Sequence, residues 1–149
     1  MSRFASLLVL TPLLGCDDRL IQSDPGYACL VADEADLQAF EATSTTSLEA
    51  DADATVVVVV SECSSGSVTW DNSCTATVDG TTILVTAVAE SRTPRTQTND
   101  CQFITVACPV GPLPAGSYEI AYGGATVPVD VPSSGEPACA VASPRAVPL

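Results

Sequence analysis

After residue 55, hydrophobic and polar positions alternate with a period of two along most of the chain, and one run is apolar without interruption. That run, Val56 to Val60, is β-branched throughout, which disfavours helix and suits a strand buried on both faces, so a strand is expected from Thr55. Cys74, Ala76 and Val78 then alternate with Thr75 and Thr77 as far as Asp79-Gly80, a favoured hairpin turn, and a third strand is expected from Thr81 to Ala89. The polar loop Glu90 to Asp100, with Pro94 inside it, leads to a fourth strand, Gln102 to Cys108, in which Ile104, Val106 and Cys108 share a face.

The last third repeats the pattern more cleanly. After a Pro114-Ala115-Gly116 turn, Tyr118, Ile120 and Tyr122 face one way and Ser117, Glu119 and Ala121 the other, and Gly123-Gly124 closes a hairpin. Val127, Val129 and Val131 alternate with Pro128, Asp130 and Pro132, and prolines at that spacing mark an edge strand. Six or seven short strands with turn signals between them predict an all-β, antiparallel β-sandwich over residues 55–139. The stretch 16–54 is acidic, rich in Ser and Thr and without sustained period, so it reads as a flexible tether. Within it, residues 33–41 predict a short helix with Leu37 and Phe40 on one side, ended by Thr43 to Thr46. Residues 140–149 read as a C-terminal tail.

Two stretches carry a family likeness. Leu113-Pro114-Ala115-Gly116-Ser117-Tyr118 with its following strand pair resembles the closing hairpin of immunoglobulin-like domains in bacterial surface proteins, which implies an immunoglobulin-like sandwich. At the other end, a short positive start (Met1 to Arg3), an apolar stretch (Phe4 to Leu14) and a small residue, Gly15, have the parts of a secretory signal. The apolar stretch of about eleven residues is too short for a membrane-spanning helix, which needs roughly twenty. Leu13-Leu14-Gly15-Cys16 resembles the lipobox of a bacterial lipoprotein, with Leu14 a less usual occupant of its position. The resemblance implies that residues 1–15 are removed and that Cys16 becomes an acylated amino terminus, tying the chain to the membrane of the cell envelope. Asp17 after it resembles an inner-membrane retention signal of enterobacterial lipoproteins, and the choice of membrane stays open. Cys63 to Val131 as a whole resembles small cysteine-bearing bacterial lipoproteins of unassigned function, a likeness that implies architecture without mechanism.

Reserving Cys16 for lipid changes the meaning of the other cysteines. Cys29, Cys63, Cys74, Cys101, Cys108 and Cys139 form an even set in an exported chain, which predicts three disulfides. Zinc ligation would want close cysteine pairs or histidine, and the chain has no CxxC and no His. A continuous strand holds Cys101 and Cys108 roughly 23 Å apart, beyond the roughly 7 Å Cα limit of a bridge. Alternating strands place Cys63, Cys74 and Cys101 at one end and Cys108 and Cys139 at the other, which favours Cys108 with Cys139 and leaves Cys29 to pair at the first end. Cys29 with Cys139 is the alternative, and it requires a break in the fourth strand or a cross-sheet pair.

Charge and chemistry narrow the function without naming it. After residue 15 the chain carries four Arg and no Lys against 18 acidic residues, a net charge of −14. Nucleic acid is not an expected partner, since binding it relies on clustered basic residues. With no His, no Lys and no cysteine left over, the usual bases and nucleophiles are missing, and no cofactor is expected. The chain therefore reads as a structural or binding module, with a carboxylate-only hydrolase as the alternative from another class. Weak candidates for recognition are Glu49, Asp51 and Asp53 for calcium, Trp70 in the loop Ser64 to Ser73 for a glycan or an envelope protein, and the Arg92 and Arg95 pair in the long polar loop.

Overall fold

The valine run forms the central strand of the molecule, and its burial accounts for the architecture around it. In the computed structural model, which describes residues 18–37 and 44–143, β4 (Asp53–Ser64) carries Val56 to Val60, all buried. Removal of each from water stabilises the fold by about 1.5 to 3 kcal/mol. Burial on both faces of one strand requires cover on both sides. Val56, Val58 and Val60 point into the core between two sheets. Val57 packs on the opposite face with Cys29 and Val31 in a second small cluster that Tyr27, Leu37 and Cys139 adjoin.

Four antiparallel strands make the sheet that contains β4, in the order β11 (Ala138–Val141), β2 (Tyr27–Val31), β4, β7 (Gln102–Pro112). The facing sheet is built on β6 (Thr82–Thr93). One edge of β6 pairs along its length with β5 (Thr69–Asp79). Its other edge pairs with β1 (Asp18–Ser23) over Val88 to Thr93 and with β8 (Gly116–Tyr122) over Thr82 to Leu84. β9 (Ala125–Val131) completes this sheet beyond β8. A two-stranded ribbon of β3 (Thr46–Leu48) with β10 (Ser133–Gly135) lies apart from both sheets. The result is a disulfide-stabilised, nearly all-β sandwich. Its closing hairpin carries a tyrosine corner, in which the Tyr118 hydroxyl donates to the Pro114 carbonyl at 2.9 Å. One pairing departs from the antiparallel rule, the short parallel register of β6 with β8.

Several expectations hold and several need correction. The turn at Gly123-Gly124 has positive φ at both residues, 54° and 85°, as a two-residue hairpin requires. β9, with Pro128 in it, is an edge strand, where a missing N–H leaves no ladder bond unmade. The stretch 16–54 is not a tether where it is described, because β1, β2 and β3 all come from it and β2 lies inside a sheet. The expected helix at 33–41 is a single 3-10 turn, Glu34–Asp36, capped by Asp33, and the remainder of that helix, 38–41, lies outside the described residues. Thr46 fastens this turn, accepting from the Ala32 N–H at 2.8 Å and donating to Asp36 at 2.6 Å. The expected tail begins inside β11, so Ala140 and Val141 belong to the fold. The leader, residues 1–15, and Cys16 lie outside the described residues.

Candidate functional site

The six cysteines after Cys16 pair as Cys29–Cys139, Cys63–Cys101 and Cys74–Cys108. The favoured Cys108–Cys139 pairing is therefore wrong, and the alternative, Cys29–Cys139, is right. The error came from sorting cysteines by the end of the sandwich they occupy. Cys108 sits on the inward face of β7, 1% exposed, and reaches across the core to Cys74 on the inward face of β5. Cys29 and Cys139 are register partners on neighbouring strands of one sheet. Three bridges of this kind form and persist in an oxidising, extracytoplasmic compartment.

Trp70 is the second residue of β5 and does not lie in a loop. Its ring packs half-buried against the core and its Nε1 donates to Ser64 Oγ at 2.9 Å. Arg92 is likewise on a strand, the end of β6, while Arg95 lies in the loop beyond, so the structure does not bring them together as a basic loop pair. What the structure places beside Arg92 is Glu90, which accepts from Arg92 Nε at 3.2 Å and from Arg19 through two bonds of 2.7 Å each. The Arg19 hydrogen bonds, with a smaller contribution from Arg92, hold the Glu90 carboxyl below the usual carboxylate range. Asp71 is the register partner of Glu90 on the same outer face, and both line a shallow depression with Thr69, Trp70 and Arg92. Two neighbouring carboxylates would serve acid and base chemistry if one held its proton near neutral pH. Glu90 is shifted in the opposite direction, and its oxygens are engaged by two guanidinium groups.

Glu49, Asp51 and Asp53 straddle the turn from β3 to β4, and all three are exposed. Asp51 has a left-handed backbone, φ 60°, and its N–H donates to the Leu113 carbonyl at 2.8 Å, which explains the bend. Among the described residues no group of three or more carboxylate, cysteine or histidine side chains is arranged to hold a metal ion.

The concavity that stands out is a groove of about 750 Å³ between the edge of one sheet and the edge of the other, flanked by Leu20, Ile21 and Val141. Its floor is the crossover by which the chain leaves β1 and enters β2, residues 24–26. Asp24 is locked to β6 by reciprocal bonds with Ala87, its N–H donating to the Ala87 carbonyl at 2.8 Å and its carboxylate accepting from the Ala87 N–H at 2.9 Å. The Tyr122 hydroxyl donates to the Pro25 carbonyl at 2.6 Å, and burial first, then the charge of Asp24, pushes this phenol well above its ordinary range. Gly26 has φ +63° and passes so close to β4 that a Cβ there would lie 2.0 Å from the Val59 carbonyl oxygen. On the far wall, Ala142 donates to Gly26 at 3.0 Å and Ser143 to Gly123 at 3.1 Å.

No family model, curated protein or solved structure matches the chain. The groove was not legible as a site beforehand. Its sequence signals, adjacent Leu20-Ile21 and the Asp24-Pro25-Gly26 bend, lay in a region without period.

Proposed function

We propose that this chain is a lipid-anchored module of the bacterial cell envelope that works by binding or by spacing and has no chemistry of its own. The observation that carries this reading is the closed set of three disulfides. Six cysteines pair among themselves, so no other cysteine of the seven is left to pair with Cys16 of the lipobox. The first strand, β1, begins at Asp18, two positions after it. The oxidising compartment required by the bridges agrees with export through the leader. The calcium and glycan alternatives gain no support from geometry, since Glu49, Asp51 and Asp53 stay dispersed and the indole of Trp70 is engaged by Ser64 and the core.

The test has two arms. In a bacterial host, labelled fatty acid is incorporated into the wild-type chain and not into Cys16→Ser, and the variant moves from the membrane to the soluble fraction with all three bridges intact. Incorporation into both, or disordered bridges in the variant, overturns the anchor. For the activity, a pull-down from envelope extract with the acyl-free domain recovers a protein or glycan partner if the module binds. Turnover of an ester or glycoside substrate that depends on Asp71 and Glu90 overturns the non-catalytic reading.

A further inference from the structure

Leu20 and Ile21 are consecutive on β1, so their side chains leave opposite faces of the strand. Both are nonetheless more than half exposed, at 55% and 56%, and Val141 across the groove is 63% exposed. The common cause is topology. Among the described residues β1 pairs with β6 alone and β11 with β2 alone, so each of these strands forms part of a sheet margin. Both margins border the same groove, lined between them by Gln22 and Ser23 as well as the crossover. An apolar margin with free backbone edges invites pairing or aggregation unless something covers it.

The length of chain between this margin and the anchor identifies the cover. One residue separates Cys16 from Asp18, so their Cα atoms lie at most about 7 Å apart, and Ile21 lies within about 18 Å of Cys16 even if the chain is fully extended. Resting on the anchor reading above, we propose that the β1 and β11 margin docks on the bilayer that holds the acyl chains, with Leu20, Ile21 and Val141 seated in its interfacial layer. Leu20 to Ser23 carry no charge, and an interfacial layer supplies both apolar contact and water for the free strand edges. A second copy of the chain would suit the same margin less well. Each copy brings a net −14 after cleavage, which opposes association. The domain on this account lies against the membrane and does not swing on a tether.

Hydrogen exchange on the acylated chain bound to phosphatidylcholine vesicles, compared with the soluble Cys16→Ser chain, tests the docking. Amides of residues 20–23 and 141–143 slow by at least about tenfold on vesicles, while the exposed hairpin at Gly80 is unchanged. The acylated double variant Leu20→Ser/Ile21→Ser loses that slowing while keeping its lipid label and its melting temperature. Equal exchange of these amides in a chain that carries lipid and sediments with vesicles overturns the docking and leaves the anchor standing. Slowing of the Cys16→Ser chain on concentration without vesicles overturns it in favour of self-association. Lack of lipid on the wild-type chain overturns the anchor, and the docking with it.

Discussion

Removal of the Cys29–Cys139 bridge by Cys29→Ala/Cys139→Ala is expected to be the most damaging of the three possible bridge deletions. The bridge joins residues 110 apart in sequence, and closing a loop of that length restricts the unfolded chain by about 4.8 kcal/mol in the chain-entropy account. The other two bridges interlace, Cys63–Cys101 with Cys74–Cys108, and while they are intact the path from Cys29 to Cys139 shortens to about 70 residues. The logarithm makes this a minor correction, to about 4.4 kcal/mol. Cys63–Cys101 and Cys74–Cys108 span 38 and 34 residues, but with one intact the path closed by the other shortens to about 18, so deleting either is expected to cost nearer about 3.2 kcal/mol. Cys29 is fully buried beside Val31 and Val57, so its loss also leaves a small void worth on the order of 1 kcal/mol.

Against a net stability of about 5 to 15 kcal/mol for a domain of ordinary size, this single deletion removes a large share. The assay is guanidinium unfolding followed by the fluorescence of Trp70, the single Trp of the chain, with non-reducing peptide mapping on the same preparations. A cost below about 1 kcal/mol at unchanged m-value refutes the loop-length reasoning. A peptide linking Cys108 to Cys139 in the wild-type chain refutes the pairing itself.

The crossover, the β8–β9 turn and the ionisable groups carry further expected outcomes. Gly26→Ala, whose Cβ would meet the Val59 carbonyl oxygen at 2.0 Å, is expected to cost more than about 4 kcal/mol or to prevent folding. Gly124→Ala, at φ +85° with nothing within 4 Å, is expected to cost about 1 to 3 kcal/mol of backbone strain, measured by the same unfolding assay. Tyr122→Phe strips the Pro25 carbonyl of its buried 2.6 Å donor and is expected to cost about 1 to 3 kcal/mol. On the alkaline side, burial and then the hydrogen bond to Glu62 push Tyr27 from 10.0 up to about 12. A folded pKa above the unfolded one means that this contribution is complete below pH 10 and is lost as pH rises towards 12, read as a falling denaturation midpoint; Tyr27→Phe removes that component. Glu90 shifts the other way, so its contribution is complete above the ordinary carboxylate range and is lost as acid titrates it below. Protection of the β1 amides, taken relative to their intrinsic exchange rate at each pH, should fall in acid, and Glu90→Gln should lower it at every pH.

Where burial differs between the two faces of a strand, the fold was legible from pattern alone. β6, β8 and β9 each bury one face and β5 half-buries one, and this alternation located all four, with β5 starting five residues earlier than expected. The hairpin turns followed from the need for positive φ. The valines of β4 were legible for a different reason, since an unbroken β-branched run has few other uses. The proposed docking margin was less legible because a sheet margin needs no particular residue. The site depends on which strands have neighbours, and neighbours are a property of topology. Cysteine pairing failed for the same reason, as strand ends carry information about height in the sandwich and none about which sheet faces which.

β1 and β2 show this limit most directly, because they were read as tether for opposite physical reasons. β2, Tyr27 to Val31, is buried from Ala28 onward with no polar alternation, as befits a strand with β11 and β4 on its flanks and apolar clusters above and below. Five residues of that kind, beside a Pro25-Gly26 bend, are too short a run to separate from an apolar patch of loop. β1, Asp18 to Ser23, is exposed at nearly every position, and an exposed strand has no period to detect. What holds β1 in the sheet is a backbone ladder to β6 and the Arg19 clamp on Glu90, neither of which leaves a hydrophobic mark. A strand held that way contributes little core, and its removal would bare the edge of β6 from Val88 to Thr93. The apolar character of Leu20 and Ile21 at such a margin is hard to account for by the folded domain alone, whose interior they do not enter. The proposed anchor would set an apolar medium beside both residues, and vesicle-dependent exchange at β1 distinguishes that cause from chance exposure.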